Sequence, residues 1–306
     1  MEMRVSTGLT LAAAFGLVWV VGGCTAAEPA SSAQSAVVER QARDALARWD
    51  AAAAAASGTS GVVLVGEHTL MIGDDWGPGI DGGNAKMAWG AGLFESAIVL
   101  PTATPPDARV SWQDGTTTAV PVISAAQAFD DLRAAATSAC SDCTPLRVTA
   151  ATLTTATFDT SRGKAEVPAW VFSLEGTDVT LAQAAVASQI SPAPTANTEA
   201  TPGDAGPWIG PAVMSATLDS GGATLTVTFT GAPDTGDKPC GADYTAQAFE
   251  SDNAVVVVVF EHINTLPAMC SAVGAYRTAQ VTLSRPLGSR TLIGLDAQPI
   301  SVTPSP

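Results

Sequence analysis

The sequence predicts an α+β N-terminal domain followed by an all-β, sandwich- or barrel-like C-terminal domain. Three observations predict it. Helical and period-two patterns alternate through the first part of the chain. The segment 188–206 (SQISPAPTANTEATPGDAG) holds several prolines and little that could be buried, and beyond it the pattern is almost wholly that of strands. The expected divisions are a leader at 1–23, a tether at 24–35, the α+β domain at 36–187, the linker at 188–206 and the β domain at 207–306.

The chain opens MEMRVSTGLTLAAAFGLVWVVGGC, a short region carrying Arg4 and then an apolar run from Leu9 to Val21. That run is too short for a comfortable membrane span and ends in small residues. Val21-Gly22-Gly23-Cys24 resembles the lipobox of bacterial lipoproteins, which implies cleavage before Cys24 and a lipid on its thiol. The polar stretch TAAEPASSAQS suits a tether.

Ala36 to Ala56 reads as a helix, with Val38, Ala42, Leu46 and Trp49 on one face, stopping at Ser57-Gly58. Gly61–Ile72 reads as a strand, followed by the loop GDDWGPGIDGGNA, apolar residues to Leu100 and the turn PTATPP. Asp114-Gly115 between Arg109–Trp112 and Thr116–Ile123 is a hairpin signal. Ser124-Ala125-Ala126-Gln127 forms a capping box for a helix that buries Phe129, Leu132 and Ala136 and runs to about Ala139. Pro145 forbids continuation, and Leu146–Phe158 reads as a threonine-rich strand. A turn at Ser161-Arg162-Gly163 returns the chain through Glu166–Leu174, where Trp170, Phe172 and Leu174 alternate and Pro168 suggests an edge or bulge. In the C-terminal part strands are expected at Val213–Leu218, Ala223–Thr230, Tyr244–Phe249, Ala254–Phe260, Ala279–Ser284 and Ile300–Val302. The unbroken run Val255–Phe260 predicts a central strand buried on both faces.

The stretches CSDCTPLRVTAATLTTATFDTSRGKAEVPAWVFSLEG and VTLSRPLGSRTLI, with the lipobox, resemble uncharacterised secreted or lipid-anchored proteins of actinobacteria. The resemblance implies an extracytoplasmic location and a two-part build, and it implies no chemistry.

A formal charge of −15 repels phosphates, and the three lysines (Lys86, Lys164, Lys238) are scattered, so nucleic-acid binding is set aside. With Cys24 taken by lipid, Cys140, Cys143, Cys240 and Cys270 remain, an even number in an exported chain, which favours disulfides. Four cysteines allow three pairings, and pairing across the linker stays open. Cys140-x-x-Cys143 follows a helix instead of opening one, and Asp142 lies inside the motif. Both disfavour a reactive thiolate. Zinc lacks a second knuckle, since His68 and His262 are far from metal-ligand spacing.

Ser161-x-x-Lys164 and Ser251-Asp252-Asn253 match motifs of penicillin-recognising serine enzymes, but Ser161 lies in a turn where that serine must begin a helix. Glu67-His68 and Glu261-His262 are strand neighbours, which point to opposite faces. The most unusual polar feature is the loop holding Asp74, Asp75, Trp76 and Asp81. It has the residue types to hold a calcium ion or a sugar stacked on Trp76, against the simpler reading of a solvated turn with Trp76 folded onto the core.

These residues support a lipid-anchored protein on the extracytoplasmic face of the cell membrane, a non-enzymatic binding or envelope-assembly module. Its partners would be the membrane, through the lipid on Cys24, and an envelope protein or carbohydrate, with no cofactor implied. The alternative is an envelope hydrolase or carbohydrate-active enzyme whose carboxylates are assembled by the fold. Changing Cys24 to Ser is expected to release the protein from the membrane fraction, measured by fractionation and immunoblotting; unchanged retention would sink the lipid anchor.

Overall fold

The computed structural model describes residues 32–56, 62–73, 75–187, 190, 210–264, 269–270 and 272–305. The lipobox with Cys24, the tether up to residue 31, almost all of the expected linker and Asp74 lie outside the described residues. The described chain is mostly β-sheet with few helices, in several sheets of which none closes. No helix among the described residues is long and apolar enough to cross a membrane.

The first part contains helix α1 (Ser32–Ala55), β1 (Thr69–Ile72), α2 (Gly82–Gly90), β2 (Phe94–Ser96), β3 (Ala108–Trp112), β4 (Thr117–Val120), α3 (Ala125–Ala134), β5 (Leu146–Thr160), β6 (Gly163–Leu174) and β7 (Thr180–Ala184). The second holds β8 (Val213–Leu218), β9 (Thr224–Gly231), β10 (Ala242–Glu250), β11 (Ala254–Ile263), β12 (Ala275–Thr282), β13 (Thr291–Ile293) and β14 (Val302–Pro304).

Strands β1 to β7 make one seven-stranded sheet organised by β6. One edge of β6 pairs with β5 from Val148↔Leu174 to Thr160↔Gly163. Its other edge is divided, with Glu166 and Ala165 pairing to β3 and Ala169 to Ser173 pairing to β7. Pro168 stands at that division, where neither neighbour needs its missing N–H, so a proline sits inside the sheet and not at the edge or bulge its sequence suggests. Helices α2 and α3 cover one face, with Ala85, Ala88, Phe129 and Leu132 packed on Trp170, Phe172, Leu174 and Leu181. Val62, Leu64, Val110, Trp112, Phe158 and Val167 form a separate apolar cluster with Ala182 and Ala184.

In the second part a three-stranded sheet, β10-β11-β13, faces a four-stranded one, β12-β9-β8-β14. Leu225, Val227, Phe229 and Val281 meet Val255, Val257, Val259 and Leu292 between them. The alternate residues of β11, Ala254, Val256 and Val258, point the other way and are also buried, beneath Val38, Ala42, Ala45, Leu46 and Trp49 of α1. The valine run is therefore buried on both faces, as its lack of alternation predicts.

The partner of α1 differs from expectation. The division at 36–187 groups the helix with the first sheet, whereas α1 packs on the sheet built after residue 210. Periodicity identifies an apolar stripe on a helix but not the surface that covers it. Polar contacts fix the docking: Arg48 donates to the carbonyls of Leu295 and Asp296 at 2.9 and 3.0 Å, and Asp50 accepts from Ser251 Oγ at 3.1 Å and Asn253 Nδ2 at 3.0 Å. The Ser-Asp-Asn turn thus serves as a helix dock.

Three smaller differences have local causes. The strand expected over Gly61–Ile72 is broken: Leu64 makes a bridge to Thr160, Gly66 turns with φ 76°, and pairing resumes at Thr69. Helix α3 stops at Ala134 because Thr137 and Ser138 donate their N–H groups to Gly90 O, drawing the chain onto the end of α2. Cys140 accordingly lies beyond the helix and not at its last turn. The cysteines pair locally, Cys140 with Cys143 and Cys240 with Cys270, at Cα separations of 5.7 and 5.5 Å.

Trp49→Ala is expected to cost about 3–5 kcal/mol, the range for emptying a buried aromatic site. Urea unfolding measures it, and amide exchange should rise in β11 before β6; equal loss in both would contradict the assigned partner of α1.

Candidate functional site

The loop that carries Asp75, Trp76 and Asp81 is used by the fold. Trp76 is buried against α2 in the core beneath the helices, so its ring is not open to a sugar. Asp81 N-caps α2, its Oδ1 accepting from Gly83 N at 2.9 Å and Asn84 N at 3.3 Å. Asp75 accepts from Gly77 N at 3.3 Å. Among the described residues no group of three or more His, Cys, Asp or Glu side chains is placed to hold a metal ion.

What the loop does supply is a second tryptophan in position. Trp76 meets Trp89 edge to face, 6.5 Å between centroids and 66° between planes, and fixes the partly exposed Trp89 at the end of α2. Trp89 lines a cleft of about 650 Å³ beside the edge strand β1. The broken strand brings Glu67, His68 and Thr69 to its wall, α3 brings Gln127 and Asp131, and β7 brings Gln183. A volume of this size lies within the range of small-molecule sites.

Gln183 is the informative wall residue. It is only 5 % exposed and lies opposite Thr69 in the β1–β7 register, and its Oε1 accepts from Thr69 Oγ1. Its Nε2 has no hydrogen-bond partner among the described residues, leaving an amide with two donors at the cleft. Gln183 Nε2 is open to the cleft, where water or a ligand can accept from it, whereas the buried side-chain nitrogen without a partner among the described residues is Trp76 Nε1. The lone polar residue in LAQAAV (181–186) is the sequence signal for it, and strand pattern alone passes over it. Gln127 also departs from expectation. Ser124 Oγ accepts from Gln127 N at 3.2 Å as the capping box requires, while the Gln127 side chain lines the cleft.

His68 and Asp131 have opposite responses to this environment. His68 touches water inside the cleft but is surrounded by protein, and that burial holds its imidazole below its ordinary value of 6.5. Asp131 is raised above the ordinary carboxylate value, first by burial and then by the charge of Asp130. At neutral pH the cleft therefore presents an uncharged imidazole, which both accepts and donates.

The remaining sequence candidates do not converge on the cleft. His262 Nε2 is 2.9 Å from Thr245 Oγ1, and Glu261 accepts from Tyr244 at 2.8 Å, both on the β10–β11 pair. Ser161 lies in the β5–β6 turn, where Lys164 pairs with Asp159 at 3.1 Å. A larger seam of about 880 Å³ runs between the two parts, but its charged groups are spent on the fold. Arg162 lies 4.3 Å over the Trp112 ring and pairs with Asp114 at 3.6 Å. The Arg290 guanidinium is held by Glu250 and by the carbonyls of Arg285, Pro286 and Leu287.

No family model, curated protein or solved structure matches this chain.

An acid with a raised folded pKa is harder to ionise folded than unfolded, so it lowers stability at pH above that value and ceases to do so below the unfolded one. Asp131→Asn is therefore expected to melt higher than the parent at pH 7, with the gap closing as pH falls through the carboxylate range. Melting temperatures across pH measure this, and a gap independent of pH would refute the assignment.

Proposed function

We propose that this chain is a lipid-anchored extracytoplasmic binding protein whose cleft takes a neutral, hydroxyl-rich ligand, a saccharide of the cell envelope. The observation that carries the reading is the half-paired, buried Gln183 amide beside the partly exposed Trp89. Sugar hydroxyls accept from such amides and donate to carboxylates and neutral imidazoles, and a sugar's apolar face lies on an indole. The charged residues of the wall, Glu67 and Asp131, are both acidic and disfavour anionic ligands. The fold supports a finer division as well: an α+β unit over 62–187, and a β-sandwich over 210–305 that carries α1 as a clamp. On this reading the sandwich is a pedestal between the lipid on Cys24 and the cleft.

The second reading, an envelope hydrolase or carbohydrate-active enzyme, is favoured by one observation. Two groups able to exchange protons, His68 and Asp131, line the same cleft, and burial favours the uncharged form of each. The two readings separate by turnover, since an enzyme cleaves a neutral oligosaccharide that a binding protein returns intact.

Calorimetry with triacetylchitotriose, maltotriose and cellotriose tests the proposal, with sialyllactose and spermidine as charged comparators. At least one neutral sugar is expected to bind, and Gln183→Met to weaken it about tenfold, the worth of one hydrogen bond of about 1.4 kcal/mol. Binding of only the charged comparators, or equal affinity in Gln183→Met, would overturn it.

A further inference from the structure

We propose that the end of the β10–β11 and β8-β9-β12 strands farthest from the first sheet is a bilayer-docking surface, with Tyr276 at the level of the lipid headgroups. The proposal rests on lipidation at Cys24 and adds to it the face that the anchor presents to the membrane.

The position of α1 determines which end that is. Asp50, near its C-terminus, is bonded to Ser251 and Asn253, just before β11 begins. Eighteen residues of helix back to Ser32 span about 27 Å. The nine steps of β11 from Ala254 to Ile263 span about 30 Å. Val38, Ala42, Ala45, Leu46 and Trp49 are all buried in the cluster that holds Ala254, Val256 and Val258, so α1 stays on this sheet from Val38 to Trp49. Helix and strand therefore run in opposite directions, and the N-terminus of α1 lies beside the Ile263 end of β11. Cys24 precedes Ser32 by eight residues, a separation that extended chain covers with at most about 29 Å. A lipid on Cys24 accordingly keeps that end of the molecule within about 29 Å of its own acyl chains.

That end carries exposed apolar side chains from several elements: Met214 near the start of β8, Ile263 at the end of β11, Met269, Val273, and Tyr276 near the start of β12. Ile263 is 62 % exposed and Tyr276 77 % exposed. Met214 Sδ lies 3.6 Å from Thr230 Oγ1, and Thr230 is opposite Tyr276 in the β9–β12 register, so Met214, Thr230 and Tyr276 form one row. The Cys240–Cys270 bridge ties the segment holding Met269 to the start of β10, which pairs with Ile263. An apolar patch of this kind on a monomer marks an interaction surface, and a tyrosine is suited to a membrane interface, with an apolar ring and a polar tip. A lipid on Cys24 holds the chain at one point, and an apolar contact beside it adds the attachment that fixes which face meets the bilayer. The segment beside the end of β11 holds Asp234, Asp237 and Asp243 against Lys238, which pairs with Asp234 at 2.9 Å, and this acidic surplus selects a zwitterionic surface over an anionic one.

The sequence has two tyrosines, which makes the test specific. Tyr244 is engaged, accepting from Ala232 N at 2.6 Å and donating to Glu261 at 2.8 Å, while Tyr276 is open. The full lipidated chain is reconstituted on phosphatidylcholine vesicles, floated, and iodinated enzymatically from outside, with peptide mapping of each tyrosine. A Met214→Ser, Ile263→Ser, Val273→Ser chain, changed only at exposed positions, is treated alongside. Docking predicts that both chains float and that Tyr276 reacts about tenfold more slowly in the parent, the loss being restored in the triple variant. Flotation with equal Tyr276 reactivity in the two chains overturns docking and leaves the anchor standing. Failure of the parent to float removes the anchor, and docking with it.

Discussion

The second half of the molecule depends on one constraint: the valine run of β11 must be kept from water on both faces. Val255, Val257 and Val259 are covered by the facing four-stranded sheet, and Ala254, Val256 and Val258 by α1. A sheet pair alone would leave the second set exposed, at roughly 1.5–3 kcal/mol for each valine. The helix is thus part of the β unit although the whole first sheet separates them in sequence. Because α1 is also the first described element of the chain, the strand layer is capped by residues that precede the whole first sheet.

The first sheet has its own organising strand. β6 is paired along its length on one side and shared between two strands on the other, and the indole of Trp170 is pinned by donation to Ile123 O at 2.9 Å. With both helices covering the same cluster of β6 side chains, β1 is left at the sheet edge with the ends of α2 and α3 close by. The cleft exists because the helices are too short to cover that edge. Its polar wall follows from the same geometry, since Thr69 and Gln183 are neighbours across the last strand pair.

Much of this was legible along the chain and rather less of it across the chain. Strand alternation located β8 to β11 closely and β12 only over its second half, the Asp114-Gly115 turn located β3 and β4, and the unbroken valines identified a doubly buried strand. The three-residue β13 is not legible because so short a strand has no period, although it pairs in parallel with the start of β11. The covering of α1 was not legible, because an apolar stripe is the same whichever surface meets it. The candidate site was legible only in kind. Asp81 and Trp76 stood out as polar and aromatic residues in a glycine-rich loop, yet one caps a helix and the other supports Trp89 from beneath. Gln183 is not legible in the same way, since a single glutamine in a strand has no meaning until its burial and its partner Thr69 are known.

That contrast says where to look for function in a chain whose motifs are absorbed by structure. Carboxylates such as Asp81 and Glu250, and the serine of the Ser-Asp-Asn turn, have partners that complete them within the fold. Glu250 illustrates the balance: burial pushes its carboxyl up, and bonds from Ser284 N and Arg290 more than offset this and hold it below its ordinary value. Asp131 has no such compensation, and Gln183 keeps half its amide unpaired. An apolar residue at 183 would leave the buried Thr69 hydroxyl without its acceptor, so Gln183 serves the fold through Oε1 and turns only its Nε2 to the cleft. Polar groups that the fold leaves to solvent on one concave wall, next to a braced indole, are the places where a bound molecule would find hydrogen-bond partners.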